Sequence, residues 1–338
     1  MLPYQFDDLL QKIEPFLPRG GLRRPLPSEL KLALTLNFLA HGDSARSKSW
    51  EFRIGRSTVY KIVQEFPNCI DALDGKHIRI KASPNSGSKY FCYKKFFSIV
   101  LMAICNHKYR FLWVDIGQFG SISDGVWSET GLGRCVGQGS FNIPPPCELP
   151  GTNIKINHVL VADEAFPLGM NLLKPYSQKF LANGGEDADK ARVFNYHLSR
   201  ARRIIENAFG ILASRWQILL KGCNFYPENV DHIIKALICL HNFIMDDETQ
   251  KPACTRLYCP PNFIDRENEN HEIMEGAWRG LGDNSTLYKD LVNMKGNSGT
   301  NAAKAQRNVF REYFVSEAGC NQVPWQFQSA LRGYCINI

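Results

Sequence analysis

The side chains most able to do chemistry in this chain are four acids that lie far apart in the sequence: Asp74, Asp124, Asp163 and Glu206. Two accompany runs typical of β-strands, one lies in a Gly/Ser-rich turn, and the last lies within a long amphipathic helical pattern. Hard divalent cations prefer oxygen ligands. A pair of such cations can stabilise both the attacking and the leaving oxygen of an in-line displacement at phosphorus. The four acids therefore predict a metal site for phosphodiester cleavage.

Three of these acids also have a simpler interpretation. Glu206 is four residues after Arg202, so the two side chains could form an ion pair on a helix surface. Asp74 precedes a glycine, as turn residues often do, and Asp71 competes with it for the same role. Asp124 lies in a Ser-Asp-Gly sequence, which is equally typical of a turn or a helix cap. These alternatives stay open at the level of the residues alone.

The hydrophobic pattern predicts the elements that must position the acids. Apolar, β-rich runs separated by hairpin-length turns predict three antiparallel strands: 70–81, 97–105 and 109–117. The elements expected after them are a short helix, a buried strand and two long helices: 124–132, 157–162, 197–216 and 227–245. Asp163 then follows directly after a strand, and Glu206 lies at the border of the apolar stripe of a helix.

The first 67 residues carry a helical pattern of their own. Two short helical segments joined by a turn at Gly55 indicate a helix-turn-helix. The second helix would begin with residues that recognition helices commonly present to bases or phosphates: Arg56, Ser57, Tyr60 and Lys61. The alternative is a small helical bundle that only supports the rest of the chain.

The charge distribution favours an anionic polymer as partner. Residues 1–110 hold 18 basic and 9 acidic side chains, whereas the remaining residues hold 22 and 24. The excess positive charge therefore lies entirely in the first third of the chain. Contacts of Lys and Arg with phosphates release counterions, which favours binding to DNA. A solvated basic surface without a partner is the alternative.

Two further basic clusters add to this expectation. Residues 89–97 interleave aromatic side chains with lysines, including Lys94 and Lys95, and this composition suits both contact with unpaired bases and the entry to a core strand. A second cluster surrounds Glu206 and includes Arg202 and Arg203, which we expect to line the DNA path. His77 either orients a phosphate or a water, or is a buried histidine with ordinary partners.

Other features exclude several classes of protein. No run approaches ~18 uninterrupted apolar residues, so no membrane span is expected. The first eight residues lack the pattern of a signal peptide. The eleven cysteines are scattered without a C-x-x-C pair, so reduced, mostly buried thiols are expected and a structural zinc site is not. Motifs of nucleotide-binding loops, serine hydrolases and zinc proteases are absent from the sequence.

Five ordered segments resemble those of the PIF/Harbinger transposases and the domesticated Harbinger transposase-derived nucleases. The first segment is Asp74-Gly75-Lys76-His77. Four of the segments contain the four acids, and the fifth lies beyond them: 74–77, 120–124, 162–168 with 175–176, 202–210 and 239–242. The resemblance also runs upstream through residues 40–42 and 54–59, spans roughly residues 1–245 and extends weakly to residues 311–314. Ala162 stands where the family usually has glycine, and Glu164 brings a further carboxylate close to Asp163.

The resemblance implies an RNase H-like core, and the predicted order of three strands, helix, strand and helix agrees with it. The expected fold class is therefore α/β (α+β), with a mixed sheet flanked by helices. The expected domains are a helix-turn-helix-like domain, a DDE nuclease core and a polar tail with partly disordered loops: 1–67, 68–245 and 246–338. By motif, Asp74, Asp163 and Glu206 would be catalytic, and these three with Asp124 would bind Mg²⁺ or Mn²⁺.

The function implied is a divalent-metal-dependent DNA endonuclease that hydrolyses phosphodiesters or transfers strands. The alternative is a domesticated DNA-binding or adaptor protein that keeps the fold without the activity. The expected partners are DNA, a Myb-like DNA-binding protein and a second copy of the chain, and no membrane. The nucleus is the expected location, with the cytoplasm as the alternative.

Overall fold

The structure is a computed structural model that describes residues 2–14, 32, 66–121, 127, 130–137, 143–269, 271–280, 288–290 and 299–332. The predicted helix-turn-helix, with Arg56, Ser57, Tyr60 and Lys61, lies outside these residues. So does Asp124, together with most of the short helix predicted around it. These parts of the sequence analysis stay predictions.

Ten strands are described: β1 Cys69–Arg79, β2 Ser98–Cys105, β3 Phe111–Phe119, β4 Cys147–Glu148, β5 Lys155–Ile156, β6 Val159–Val161, β7 Leu172–Leu173, β8 Arg266–Glu267, β9 Ile273–Met274 and β10 Tyr288–Asp290. Six of them form one mixed sheet in the order β3-β2-β1-β6-β7, with β10 paired to β1 as well. β1, β2 and β3 are antiparallel neighbours, whereas β6 is parallel to both β1 and β7. The three-stranded meander predicted from the sequence is confirmed.

Ten α-helices are described: α1 Pro3–Ile13, α2 Gly131–Gly137, α3 Gln178–Leu181, α4 Glu186–Arg215, α5 Ile218–Lys221, α6 Pro227–Gln250, α7 Ala277–Gly280, α8 Asn301–Val315, α9 Glu317–Gln322 and α10 Gln326–Ala330. The predicted long helices correspond to α4 and α6. α4 begins eleven residues before the expected start, because its first turns are polar and carry acids that suit a helix N-terminus.

Both faces of the sheet are covered by apolar side chains. β2 is buried along its whole length, as a central strand with packing on both sides must be. One face packs against the apolar stripe of α4, including Ile205 and Phe209, and against α6. The other face packs against a smaller cluster that includes Trp127 and Phe166. This arrangement of a mixed sheet between helices is that of an RNase H-like core, so the predicted fold class is confirmed.

The residues after 245 contribute to the same core. Phe310 and Phe314 of α8 are buried, and their rings lie 5.5 and 5.1 Å from the ring of Phe66. Burying an aromatic side chain of this size stabilises a fold by about 2–3 kcal/mol. The predicted domain boundaries stay a prediction. The C-terminal segment also packs on α4, where the ring of Phe194 lies 6.2 Å from that of Phe314. In the part of the chain that the structure describes, no helix has the length and apolar character of a membrane span.

Candidate active site

Asp74 lies in the middle of β1 and is almost completely buried, with 1% of its surface exposed. Its Oδ1 accepts a hydrogen bond from the N–H of Gly75 at 2.8 Å, and its Oδ2 lies 3.4 Å from Nζ of Lys76. The ammonium of Lys76 in turn lies 5.5 Å from the ring centre of Phe209 on α4. Asp74 therefore belongs to the sheet face that α4 covers, and it is a buried acid rather than a turn residue.

Asp163 lies beside Asp74 because of the parallel pairing of β1 and β6. Ala72 is paired with Val161, and each aspartate follows its paired residue by two positions. Side chains two residues apart point to the same face of a sheet. The Oδ1 of Asp163 accepts a hydrogen bond from the N–H of Ala165 at 2.9 Å, which fixes the carboxylate where the strand ends. The two acids therefore lie side by side, Asp74 in the middle of β1 and Asp163 just after the carboxyl end of the parallel strand β6.

The pKa of Asp163 reflects its burial and the charge of the neighbouring Asp74. Burial, and after it the negative charge of Asp74, raise the pKa of the Asp163 carboxyl to about 7. Arg202, the backbone N–H of Ala165 and Lys76 act in the opposite direction without cancelling the rise. Asp71, the alternative acid on β1, also has its pKa raised to about 7, but by burial alone. Asp74 is therefore the acid of β1 that is paired with Asp163.

Glu206 lies on α4 and is held by two arginines. Its Oε1 accepts a hydrogen bond from Arg202 at 3.0 Å, which is the i,i+4 pair foreseen as the simpler interpretation. Its Oε2 lies 3.4 Å from a terminal nitrogen of Arg279. Arg202 also lowers the pKa of Asp163, so the charge of this guanidinium acts on the aspartate as well as on Glu206.

The donors present fit a divalent cation in chemistry, although the full ligand set is not assembled. The buried Asp74 and the half-buried Asp163 repel each other when both are charged, and a bound cation would relieve that repulsion. Among the described residues, no three acids, histidines or cysteines come together as a metal-binding group. Asp74 and Asp163 therefore form the part of the predicted site that the structure brings together. Glu206 is turned to its arginines, and the position of Asp124 is not described.

Two lysines near the pair were not singled out from the sequence. Lys76 is part of the Asp-Gly-Lys-His segment, and its position two residues after Asp74 on a strand could have indicated its contact. Lys174 directly follows β7, the next parallel strand after β6. Burial lowers the pKa of the Lys174 amine, whereas Glu164 and Asp163 raise it. Lys174 therefore adds a positive charge at the same end of the sheet.

The predicted DNA-contact residues on α4 differ in their surroundings. Arg203 is buried and donates to Oε1 of Glu267 at 3.1 Å, and the neighbouring Arg200 donates to Oε2 of the same carboxylate at 2.6 Å. A guanidinium buried in an ion pair is not available to a phosphate, so the structure gives Arg203 a role in packing. Arg202 is only partly buried and contacts Glu206.

The segment that contains Lys94 and Lys95 combines both interpretations of its sequence. Phe96 is buried, but Tyr93 and Phe91 are 49% and 42% exposed, and Nζ of Lys94 lies 5.2 Å from the ring centre of Tyr93. His77 is buried against this segment, and its Nδ1 lies 3.0 Å from Oγ of Ser98. Burial, and then Lys94, lower the pKa of His77 to about 4. These contacts favour the buried, neutral histidine over a group that orients phosphate.

The fold and the aspartate pair define a class of protein, and comparison with known families agrees. The chain belongs to the DDE superfamily endonucleases, whose family model matches residues 73–242, about half of the chain. The matched residues contain all four acids. The resemblance inferred from the five ordered segments is therefore confirmed.

Two relatives from Arabidopsis thaliana are similar to parts of the chain. Protein ALP1-like is 28% identical over 208 residues, which cover 60% of this chain and 49% of that protein. Protein Antagonist of Like Heterochromatin Protein 1 is 24% identical over 296 residues, which cover 76% of this chain and 73% of that protein. The match thus spans about half the length of the first relative. No solved structure matches the chain.

Proposed function

We propose that this protein is a divalent-metal-dependent DNA endonuclease, derived from a transposase, that hydrolyses phosphodiesters or transfers strands. The proposal rests on the pair formed by the buried Asp74, in the middle of β1, and the half-buried Asp163, which follows the carboxyl end of the parallel strand β6. Burying two acids side by side is costly unless a cation is bound between them. Membership of the DDE superfamily endonucleases supports the same chemistry.

Asp74 and Asp163 would hold Mg²⁺ or Mn²⁺, with Glu206 and Asp124 as the further ligands that the family motif assigns. The cation supplies a lowered pKa for the attacking water or hydroxyl and stabilises the leaving oxygen. The chain's own contribution is to orient the acids. The N–H of Gly75 and the N–H of Ala165 fix one oxygen of each aspartate, and the second oxygen of Asp74 lies 3.4 Å from Nζ of Lys76.

DNA would approach across positively charged residues. We include Arg56, Ser57, Tyr60 and Lys61 of the predicted helix-turn-helix, Lys94 and Lys95, and Arg202 beside Glu206. Contacts of this kind set the strength of binding and its dependence on salt rather than the choice of sequence. A Myb-like protein and a second copy of the chain are the further partners that we propose.

We propose the nucleus as the location. DNA as substrate supports it, and the printed name of one relative refers to a heterochromatin protein. The same name supports a second function, that of a chromatin adaptor without cleavage activity. The arginine partners of Glu206 favour this alternative as well, since a ligand acid held in an ion pair is not ready to bind a cation.

Cleavage of a supercoiled plasmid and of duplex oligonucleotides with Mg²⁺ or Mn²⁺ separates the two functions. We expect the wild-type protein to nick or cut DNA and the Glu206→Gln variant to be inactive. Glu272→Gln is the matched control, because Glu272 is an exposed acid in an ion pair with Arg332. DNA binding without cleavage by the wild-type protein under either metal would favour the adaptor.

A further inference from the structure

A segment beyond the family-matched residues is built onto α4 next to Glu206. Trp278 of α7 covers Gly210, where an added Cβ would lie only 2.3 Å from the indole ring. The indole Nε1 donates to Oδ1 of Asn207 at 2.8 Å. The same Asn207 oxygen accepts the N–H of Asp265 at 2.9 Å. This close packing fixes the short helix α7 against the turn of α4 that carries Glu206.

Arg279, the next residue of α7, is held by a buried acid. Its Nε lies 2.9 and 3.0 Å from the two carboxylate oxygens of Asp265, whose side chain is completely buried. The N–H of Gly276 also donates to Asp265, at 2.8 Å. The guanidinium lies over the ring of Trp278, 4.5 Å from its centre. Arg279 is therefore fixed in place without any contribution from Glu206.

The guanidinium nevertheless reaches Glu206 with a terminal nitrogen, at 3.4 Å from Oε2. Because Asp265 already balances its charge, Arg279 does not need Glu206 for its own stability. Glu206 could therefore leave without exposing a buried, unpaired cation, which would be costly. Both Glu206 and Arg279 are partly exposed, at 27% and 35% of their side chains, so the contact is also cheap to break.

We propose that Arg279 is a positioning residue that clamps Glu206 in the metal-free protein and competes with a divalent cation for its carboxylate. This inference rests on the proposed function, since it takes Glu206 as a metal ligand. It gives the segment after the family-matched residues a part in the site: the segment sets how readily the third acid joins Asp74 and Asp163. Arg202 remains on the other carboxylate oxygen of Glu206, at 3.0 Å from Oε1.

The test measures direct binding of Mn²⁺ to the full chain without DNA. The electron paramagnetic resonance signal of free Mn²⁺ reports how much of the ion is unbound. Arg279→Gln should bind Mn²⁺ roughly threefold to fivefold more tightly than the wild-type protein, as expected for loss of a partly exposed ion pair. In a Glu206→Gln background the same change should give no further tightening. Arg332→Gln is the control, because it removes one positive charge from an exposed pair in the same part of the chain.

Equal affinities of the wild-type protein and Arg279→Gln would overturn the clamp. An equal gain in Mn²⁺ affinity with and without Glu206 would also overturn it, because it would indicate a general effect of charge. The same holds if neither protein binds Mn²⁺ at millimolar concentration. If Arg279→Gln does not fold because Asp265 is left unpaired, the Asp265→Asn/Arg279→Gln double variant removes both charges and carries the same expectation.

The two proposals fail in different ways. Tighter Mn²⁺ binding by Arg279→Gln without DNA cleavage by any variant would keep the clamp and refute the nuclease. Cleavage by the wild-type protein with unchanged Mn²⁺ affinity in Arg279→Gln would keep the nuclease and refute the clamp. Weaker DNA binding by Arg279→Gln at unchanged Mn²⁺ affinity would instead make Arg279 a phosphate contact and would also refute the clamp.

Discussion

Two regions on either side of α4 each contain several acids, and the partners of those acids are opposite in kind. Where β6 ends beside the middle of β1, the half-buried Asp163 lies next to the buried Asp74, and the pKa of Asp163 is raised to about 7. At the contact between α4 and the C-terminal segment, the acids Asp265 and Glu267 are bound by guanidinium groups. In the first region the ammonium of Lys76 is paired with Asp74 and two carboxylates still lie side by side, whereas in the second region each acid is matched by a guanidinium.

This difference teaches which acids serve folding and which serve chemistry. A buried acid with matched arginines gains nothing from a cation, but removing it strands buried positive charge. A buried pair of acids costs stability in the metal-free protein and gains from a cation. Glu206 combines features of the two regions. It belongs to the acidic motif, as Asp74 and Asp163 do, and it is bound by arginines, as Asp265 and Glu267 are. Mutation of one acid from each region should therefore have opposite effects.

The largest expected effect is on folding. Glu267→Ala leaves Arg200 and Arg203 buried without their shared carboxylate, so the free energy of unfolding should fall by about 3–5 kcal/mol. Urea denaturation at neutral pH measures the change. Glu272→Ala, which removes an exposed acid directly before β9, should change it by less than about 0.5 kcal/mol. A loss below about 1 kcal/mol for Glu267→Ala would remove the contrast between the two regions.

The next effect is on cleavage. Asp163→Asn keeps the volume of the side chain but removes one ligand charge, so cleavage should fall at least about a hundredfold. The metal-free variant should be as stable as the wild type or slightly more stable, because one of two repelling charges is gone. The Mn²⁺-induced rise in Tm should shrink.

Asp71→Asn is the control for this variant, since Asp71 lies on β1 and has the same raised pKa without a facing carboxylate. It should keep both cleavage and the Mn²⁺ shift. A full Mn²⁺ shift in Asp163→Asn would show that Asp163 is not a ligand.

The third effect is on the pH dependence of stability. The folded protein binds the Asp163 proton more tightly than the unfolded chain, whose Asp pKa is about 3.9. Between about pH 4 and pH 7 the folded state therefore holds more protons, and this group's contribution makes stability fall as pH rises. The Tm of metal-free Asp163→Asn, minus that of the wild type, should grow from pH 5 to pH 7.5. Buried histidines act equally in both proteins and cancel. A constant difference over this range would contradict the raised pKa.

The sequence predicts the aspartate pair better than it predicts what surrounds Glu206. Strands have a short, regular period, so β1 and the run before Asp163 stand out, and the motif order singles out their acids. The Arg202–Glu206 pair follows from a spacing of four on a helix. Arg279 is 73 residues from Glu206, and no local pattern connects them.

The packing of α8 was missed for a related reason. Its buried residues Phe310 and Phe314 lie among many polar residues, so the sequence of α8 is typical of a polar tail. Their place in the core follows from their contact with Phe66. Local periodicity records which face of an element is apolar. It does not record which distant segment covers that face, because that choice depends on the whole set of tertiary contacts.

The smallest expected effect concerns the basic side chains. Like the acids, they differ in whether an ion pair inside the fold already engages them. Arg200 and Arg203 are buried against Glu267, whereas Lys95 is exposed on the segment that also presents Tyr93 and Phe91 to solvent. The Lys94→Ala/Lys95→Ala double variant should bind DNA more weakly, and the slope of log K against log salt should fall by up to about 1.8, since each lost phosphate contact contributes about 0.9.

The measurement for this last prediction is fluorescence anisotropy of a labelled duplex between 50 and 200 mM salt, a range in which phosphate contacts dominate the change in affinity. Lys12→Ala/Lys235→Ala is the matched control, because it removes two exposed lysines that form i,i+4 ion pairs on the helices α1 and α6. It changes the net charge equally, so any difference between the slopes comes from position rather than from total charge. Equal slopes for the two double variants would show that the segment around Lys94 does not contact the DNA backbone. Its exposed aromatic rings would then have no part in DNA binding either, because stacking on bases requires the backbone to lie alongside.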